Sequence, residues 1–121
     1  MAKLSTPRKG WPRRLLARLR KRLPLRVPVR LVWRKDPRCA GEIVLGYAAY
    51  RYAWSRGKRG RLQRCWIVLD PRLSAGQAWD ALIHEYAHCL DRQSRKTPKD
   101  CHDTRWGQCY SRVFRASFAD G

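Results

Sequence analysis

The amino-acid sequence predicts one α+β domain with three helices and a small, mainly antiparallel, three-stranded sheet. The chain has 121 residues, which is enough for one modest hydrophobic core and too few for two ordinary domains. Hydrophobic residues make up 44% of it and include six tryptophans, which argues against a disordered chain. A period-two apolar pattern at residues 27–34 indicates a strand, and helical periods lie on both sides of the middle part. We expect a flexible basic arm at residues 1–11 and a single domain at residues 12–118.

The first helix is predicted from Pro12 to about Leu23. Proline is favoured in the first turn of a helix, and Pro24 cannot continue one. The apolar residues of this segment share one helical face, namely Leu15, Leu16, Leu19 and Leu23. Because this stripe is short, we expect it to pack on the domain rather than on a membrane.

Three stretches are predicted as strands, namely Val27–Arg34, Glu42–Trp54 and Leu62–Leu69. The first has a period-two pattern, in which Val27, Val29, Leu31 and Trp33 alternate with the residues between them. A glycine-rich basic turn at residues 55–60 joins the last two strands into a hairpin. If Leu62–Leu69 is an exposed edge strand, an extended peptide can pair with it.

Two further helices are predicted after the strands. Ser74 and Gln77 have the spacing of a capping box, so the second helix begins there. Its apolar residues recur at intervals of three and four, and they are Ala78, Trp79, Leu82, Ile83, Tyr86, Ala87 and Leu90. A polar segment at residues 92–99 breaks at Pro98, and a last helix runs from His102 or Asp103 to Phe118.

The net charge is +19, and its distribution is uneven. Residues 1–35 contain thirteen of the 28 Lys and Arg residues and none of the nine Asp and Glu residues. Such a field attracts polyanions, most often nucleic acid. We therefore expect DNA as a partner of the basic N-terminus and of the hairpin at residues 56–64. A solvated tail or an Arg-rich presequence has the same composition.

The cysteines and the absence of long apolar runs bear on location. The five cysteines are an odd number and form no C-x-x-C pair, so free thiols in a reducing cytoplasm are expected. No apolar run approaches the roughly 18 residues of a membrane span. We expect a soluble cytoplasmic monomer that does not bind membranes.

The segment His84-Glu85-Tyr86-Ala87-His88 carries the strongest functional signal. Positions i and i+4 of a helix lie on the same face, so His84 and His88 can bind one metal ion. Glu85 then lies close enough to take a proton from a metal-bound water. This H-E-x-x-H arrangement is typical of zinc peptidases.

The third metal ligand can be narrowed by elimination. The only glutamates are Glu42 and Glu85, so a downstream glutamate ligand is excluded. The metzincin pattern is also excluded, because Asp91 and Ser94 occupy its glycine and histidine positions and Met1 is the sole methionine. His102 is the remaining histidine, and we favour it as the third zinc ligand. The other possible ligands are Asp91, Asp100, Asp103, Cys89 and Cys101.

These motifs resemble those of the SprT-like (Spartan-type) zinc metallopeptidases and the related WLM peptidases. The resemblance covers about residues 12–116 and rests on residues 67–69, Leu73, residues 81–88 and the segment His102-Asp103-Thr104-Arg105-Trp106. It implies a zincin-like domain, with zinc bound by His84, His88 and His102 and with Glu85 as the catalytic base. Asp103 departs from the glycine of many relatives, and the zinc ribbon of larger relatives has no counterpart here.

The resemblance implies a zinc metalloendopeptidase with a minimal protease core that cleaves DNA-associated proteins. Arg105 and Tyr110 are candidates for stabilising the oxyanion. The alternative is a basic nucleic-acid-binding protein whose zinc is structural or inactive, closed by a fourth ligand such as Cys89 or Cys101. A weaker possibility is a metal-dependent hydrolase of nucleic acid.

Overall fold

A computed structural model describes residues 6–95 and 102–118 and has the α+β architecture that the sequence predicts. A 3-10 helix, three α-helices and five strands follow one another along the chain. In order they are the 3-10 helix Thr6–Lys9, α1 Trp11–Arg22, β1 Val29–Trp33, β2 Arg38–Cys39, β3 Glu42–Ile43, β4 Gly46–Ser55, β5 Lys58–Leu69, α2 Ala75–Ser94 and α3 Thr104–Phe118.

The N-terminal segment packs closer to the domain than the prediction of a flexible arm suggests. Residues 1–5 of that arm lie outside the described residues. Thr6 is buried, and its hydroxyl donates a 2.9 Å hydrogen bond to the carbonyl oxygen of Leu73. This contact holds the 3-10 helix Thr6–Lys9 against the domain, and α1 follows it at Trp11, next to the predicted Pro12.

Helix α1 is part of the hydrophobic core. Leu15, Leu16 and Leu19 are buried, as their shared face predicts. Two arginines of its basic face bind another part of the protein. Arg18 donates a hydrogen bond to the carbonyl oxygen of Ser117 at 2.9 Å, and Arg22 donates one to that of Ala116 at 2.8 Å. These carbonyls belong to the last turn of α3, where helical oxygens lack intrahelical partners and cations are favourable.

The main sheet is mixed, so the expectation of a mainly antiparallel sheet is wrong. Its strand order is β1-β5-β4. Strand β5 pairs antiparallel with β4, as the hairpin predicts, but parallel with β1. The hairpin sequence fixes only the β4–β5 pairing. The parallel pairing arises because β5 inserts between β1 and β4 instead of adding outside them.

The predicted strand boundaries also change. The second predicted strand is divided into β3 and β4, and β3 pairs with β2 in a separate two-stranded sheet. Strand β5 begins at Lys58 rather than Leu62, because a two-residue turn at Arg56 and Gly57 suffices to reverse the chain. Both turn residues have positive φ, 52° and 73°, which is typical of the type I′ turn of tight hairpins.

The position of β5 in the sheet corrects the predicted peptide-binding edge. Strand β5 has a hydrogen-bonded neighbour on each side, so it cannot accept a further strand. Among the strands that the structure describes, β4 is the edge strand on the hairpin side of the main sheet. Any peptide that extends the sheet beside the hairpin therefore pairs with β4.

Helix α2 packs on one face of the sheet, and α3 packs against α2 and α1. The predicted capping box is confirmed, because Ser74 Oγ accepts from Gln77 N and the Gln77 side chain accepts from Ser74 N. One core cluster includes buried residues of all three α-helices and of the sheet, among them Leu19, Ile67, Leu82, Tyr86 and Val113. No helix in the described ranges has the length and apolar content of a membrane-spanning segment.

Candidate metal centre

Helix α2 presents His84 and His88 at the margin of its buried face. The adjoining residues Ile83 and Ala87 are buried, whereas both histidines are half-buried. Because the two imidazoles are one helical turn apart, their ring centroids lie 5.0 Å apart. The helix thus offers two ring nitrogens on the side that faces strand β4.

His102 lies just before α3 and joins this pair. Its Nε2 atom is 3.1 Å from Nε2 of His84 and 3.1 Å from Nε2 of His88. The structure therefore brings together the three histidines that the sequence predicts as ligands. No other group of three or more potential metal ligands occurs in the described part of the chain.

The arrangement fits a tetrahedral metal ion. Zinc binds imidazole nitrogen at about 2.0–2.1 Å, so two ligands at a tetrahedral angle are about 3.3 Å apart. The observed separations of 3.1 Å are close to that value. Burial, followed by the neighbouring imidazoles, lowers the pKa of His84 and lowers the pKa of His88 to about 4. Both rings are thus favoured in the neutral form that binds metal.

The alternative ligands in the described residues are engaged elsewhere. Asp91 and Asp103 both bind Arg95, and neither belongs to the histidine group. Cys89 is a buried free thiol that hydrogen-bonds to Cys65. Asp100 and Cys101 lie outside the described residues. Among the residues that the structure describes, the group therefore offers three protein ligands to a metal ion.

An ion-pair network that the sequence analysis missed fixes the position of His102. Arg95 donates from Nε to both carboxylate oxygens of Asp91, at 2.9 and 2.8 Å, and from Nη2 to Asp103 at 2.6 Å. Asp103 also caps α3 by accepting from Trp106 N at 2.9 Å. The network joins the end of α2 to the start of α3. The sequence does contain a signal for the Asp91–Arg95 ion pair, because opposite charges four residues apart lie on the same face of a helix.

The indole ring of Trp106 contacts all three imidazole rings. Its ring centroid lies 4.9 Å from that of His84, 5.1 Å from that of His88 and 4.5 Å from that of His102. On its other side it stacks on Tyr110 at 5.2 Å. Trp106 therefore restricts the orientation of all three rings, a role that the sequence does not reveal.

Glu85 is the buried acid of the site. It is 6% exposed, and its Oε2 atom has no hydrogen-bond partner among the described residues. Burial raises the pKa of Glu85 to about 7. A buried carboxylate oxygen without a hydrogen-bond donor costs free energy of folding. Its presence beside the histidines therefore indicates that the side chain binds a further group or a water at this site.

Glu85 and the three histidines line a cleft of about 1090 Å³ between α2 and strand β4. The opposite wall includes Tyr50, Tyr52 and the exposed Trp54. Arg105 and Tyr110, the predicted oxyanion donors, do not belong to this lining. Their polar groups bind elsewhere, Arg105 to the carbonyl of Ser94 and Tyr110 to Asp80.

Arg92 is the cation that the sequence analysis overlooked. It lies four residues after His88, on the same side of α2, and it lines the cleft although it is only 8% exposed. Its Nη1 atom donates to the hydroxyl of Tyr52 at 3.0 Å, and its guanidinium lies 4.2 Å from the ring centre of Tyr50. The sequence predicts that Arg92 lies near the histidines, because His84, His88 and Arg92 follow one another at intervals of four residues along a helix.

Comparison of the chain with protein-family models, with curated proteins and with solved structures finds no match. The class of site is therefore defined by its own geometry. It is a group of three histidines with the geometry to hold one metal ion, two on α2 and one just before α3. A buried glutamate lies in the same cleft, beside an edge strand.

Proposed function

We propose that this protein is a zinc-dependent endopeptidase. The observation that carries the proposal is the convergence of His84, His88 and His102 beside the buried Glu85, whose Oε2 atom has no hydrogen-bond partner in the described ranges. Zinc bound by three histidines and a water polarises a carbonyl group and lowers the pKa of that water toward neutrality. The residues of the chain would supply the proton transfers and hold the substrate.

Glu85 is the proposed general base. It adjoins His84 in the sequence and shares its cleft, which suits a carboxylate that accepts a proton from the attacking water. The same carboxyl group would then deliver the proton to the leaving amine. Arg92 is the proposed stabiliser of the negative charge on the carbonyl oxygen, because it is the buried cation of the cleft.

Strand β4 is the proposed binding site for the peptide. It is an edge of the main sheet and lines the cleft opposite the histidines. Main-chain hydrogen bonds to an edge strand bind an extended peptide of any sequence, and pockets for alternate side chains add preference. The substrate class is therefore protein in extended conformation.

Glu85→Gln tests the catalytic proposal, and Glu42→Gln is its matched control. Glu42 is the only other glutamate and is exposed on β3. We expect Glu85→Gln to retain one zinc per chain and to lower the rate of casein cleavage by roughly 10²–10⁴-fold. Glu42→Gln should leave both unchanged. Full cleavage by zinc-loaded Glu85→Gln would refute the role.

DNA is the proposed second partner, and DNA-associated proteins are the proposed substrates. The support is the charge of +19 and the six Lys and Arg residues, without any acid, in residues 46–69. The alternative function, a basic nucleic-acid-binding protein with structural or inactive zinc, rests on the same charge. It predicts zinc retention and nucleic-acid binding without any cleavage, which the casein assay separates from the peptidase.

A further inference from the structure

The face of the main sheet opposite the helices carries a separate set of side chains. Along β5 the core residues Cys65 and Ile67 point to the helices, so Trp66 and its alternate neighbours point away. Trp66 pairs across the sheet with Arg30 of β1 and Ala49 of β4. Neither Trp66 nor these two partners contributes to the core cluster. This outer face is defined below by Trp66, Tyr47, Arg30, Arg51 and Arg64.

The arginines of the outer face have an unusual arrangement. Arg51 and Arg64 lie directly opposite each other on β4 and β5, a like-charge pair that is unfavourable without a counter-charge. Arg30 adds a third cation on β1, and β1, β4 and β5 contain no acidic residue. The Arg64 guanidinium lies 5.5 Å from the ring centre of Trp66, and its Nε atom is buried without a hydrogen-bond partner in the described chain.

The aromatic residues complete the surface. Trp66 and Tyr47 are both half-buried, and they lie on neighbouring rows of the sheet, because Tyr47 pairs with Val68, two residues after Trp66. A rigid sheet that exposes aromatic rings between cations matches the chemistry of single-stranded nucleic acid. Its phosphates take the positive charge, and its unpaired bases stack on the rings.

We propose that the outer face binds single-stranded nucleic acid through phosphate contacts to Arg30, Arg51 and Arg64 and base stacking at Trp66. The inference rests on the proposed function, in which nucleic acid is a partner. It adds which surface of the protein binds the nucleic acid and that the bound form is single-stranded. It does not depend on the metal, since the outer face lies across the sheet from α2. A duplex offers the same phosphates but keeps its bases stacked within the helix.

The test compares two probes that differ only in their bases. One is an oligodeoxythymidylate of about twelve nucleotides, and the other is an abasic strand of the same length and charge. Stacking at one ring should make the wild-type protein bind the thymidylate roughly tenfold more tightly. Trp66→Leu keeps an apolar side chain and should abolish this preference. Equal binding of both probes by the wild-type protein would refute the stacking site.

A double variant tests the phosphate contacts and stays informative if Trp66→Leu fails to fold. Arg30→Ala with Arg64→Ala should reduce the slope of log affinity against log salt by about 1.4 for a single strand. Arg112→Ala with Arg115→Ala, on the exposed surface of α3, removes the same charge from the helical side and should change the slope little. If the two double variants behave alike, the outer face is not the binding surface, although nucleic acid remains a partner. If the wild-type protein binds neither probe, the partner proposal fails as well.

Discussion

Charged side chains serve different purposes in the helix pair α2–α3 and in the hairpin β4–β5. In the helix pair, Arg95 binds two carboxylates, and both Arg95 and Asp91 have nearly buried side chains, 8% and 3% exposed. In the hairpin, residues 46–69 contain six Lys and Arg residues and no acid. In the first region the charges fix the geometry of the histidines, whereas in the second region no carboxylate of the same segment balances them.

Because of this difference, the arginines of this protein cannot be treated as equivalent when a nucleic-acid-binding surface is sought. Arg18 and Arg22 belong to the most basic part of the sequence, yet both bind carbonyl oxygens of α3. Deleting residues 1–24 would therefore remove core leucines of α1 along with the charge. Electrostatic tests of nucleic-acid binding need point substitutions on the hairpin and the outer face instead.

The largest expected effect is on the metal, from His102→Ala. The site would keep two of three ligands, and zinc affinity should fall by more than the roughly 10–100-fold that loss of an outer-shell partner costs. Casein cleavage should be lost with it. Competition with a chelator measures the affinity, and Gln108→Ala on the exposed side of α3 is the control. Unchanged zinc affinity in His102→Ala would contradict the assignment of the third ligand.

A smaller but still large effect is expected for Asp91→Asn. It leaves the nearly buried guanidinium of Arg95 with a weaker partner, and loss of one member of a buried pair costs about 3–5 kcal/mol in the free energy of unfolding. Asp36→Asn is the matched control, since Asp36 and Arg72 form a pair whose side chains are both more than half exposed. That change should cost at most about 1 kcal/mol. Urea denaturation compares them, and equal costs would remove the distinction between fixed and available charge.

The smallest effect on stability is expected at the hairpin tip. Arg56→Ala combined with Lys58→Ala changes two exposed residues and should alter the free energy of unfolding by no more than about 0.5 kcal/mol. Arg56 has a φ of 52°, so Arg56→Gly in place of Arg56→Ala controls for backbone strain at the turn. A loss of several kcal/mol in both forms would show that this charge is structural, like that of the helix pair.

The sequence predicts the parts of the site that depend on local spacing. His84, Glu85 and His88 follow from one helical turn, and the Ser74–Gln77 cap is equally local. His102 could be predicted because the chain has only three histidines. Arg92 lies four residues after His88, and Arg95 lies four residues after Asp91, so the same local spacing predicts both contacts.

The parts that depend on distant pairing could not be predicted. The insertion of β5 between β1 and β4 depends on the parallel pairing of β5 with β1, which is distant in the sequence, and no local pattern records it. The sequence pattern therefore predicts Leu62–Leu69 as the edge strand of the cleft, whereas the edge is β4. The contact of Trp106 with three imidazoles likewise depends on how α3 packs against α2, which its own periodicity does not specify.

X-ray absorption at the zinc edge of the purified, zinc-loaded protein tests the central claim most directly. Binding by His84, His88 and His102 predicts one zinc per chain, with three imidazole nitrogens at about 2.0–2.1 Å and one oxygen from water. The three-imidazole signal should be lost in His102→Ala. A sulfur ligand at about 2.3 Å would mean that a cysteine closes the site, and it would contradict an open catalytic centre.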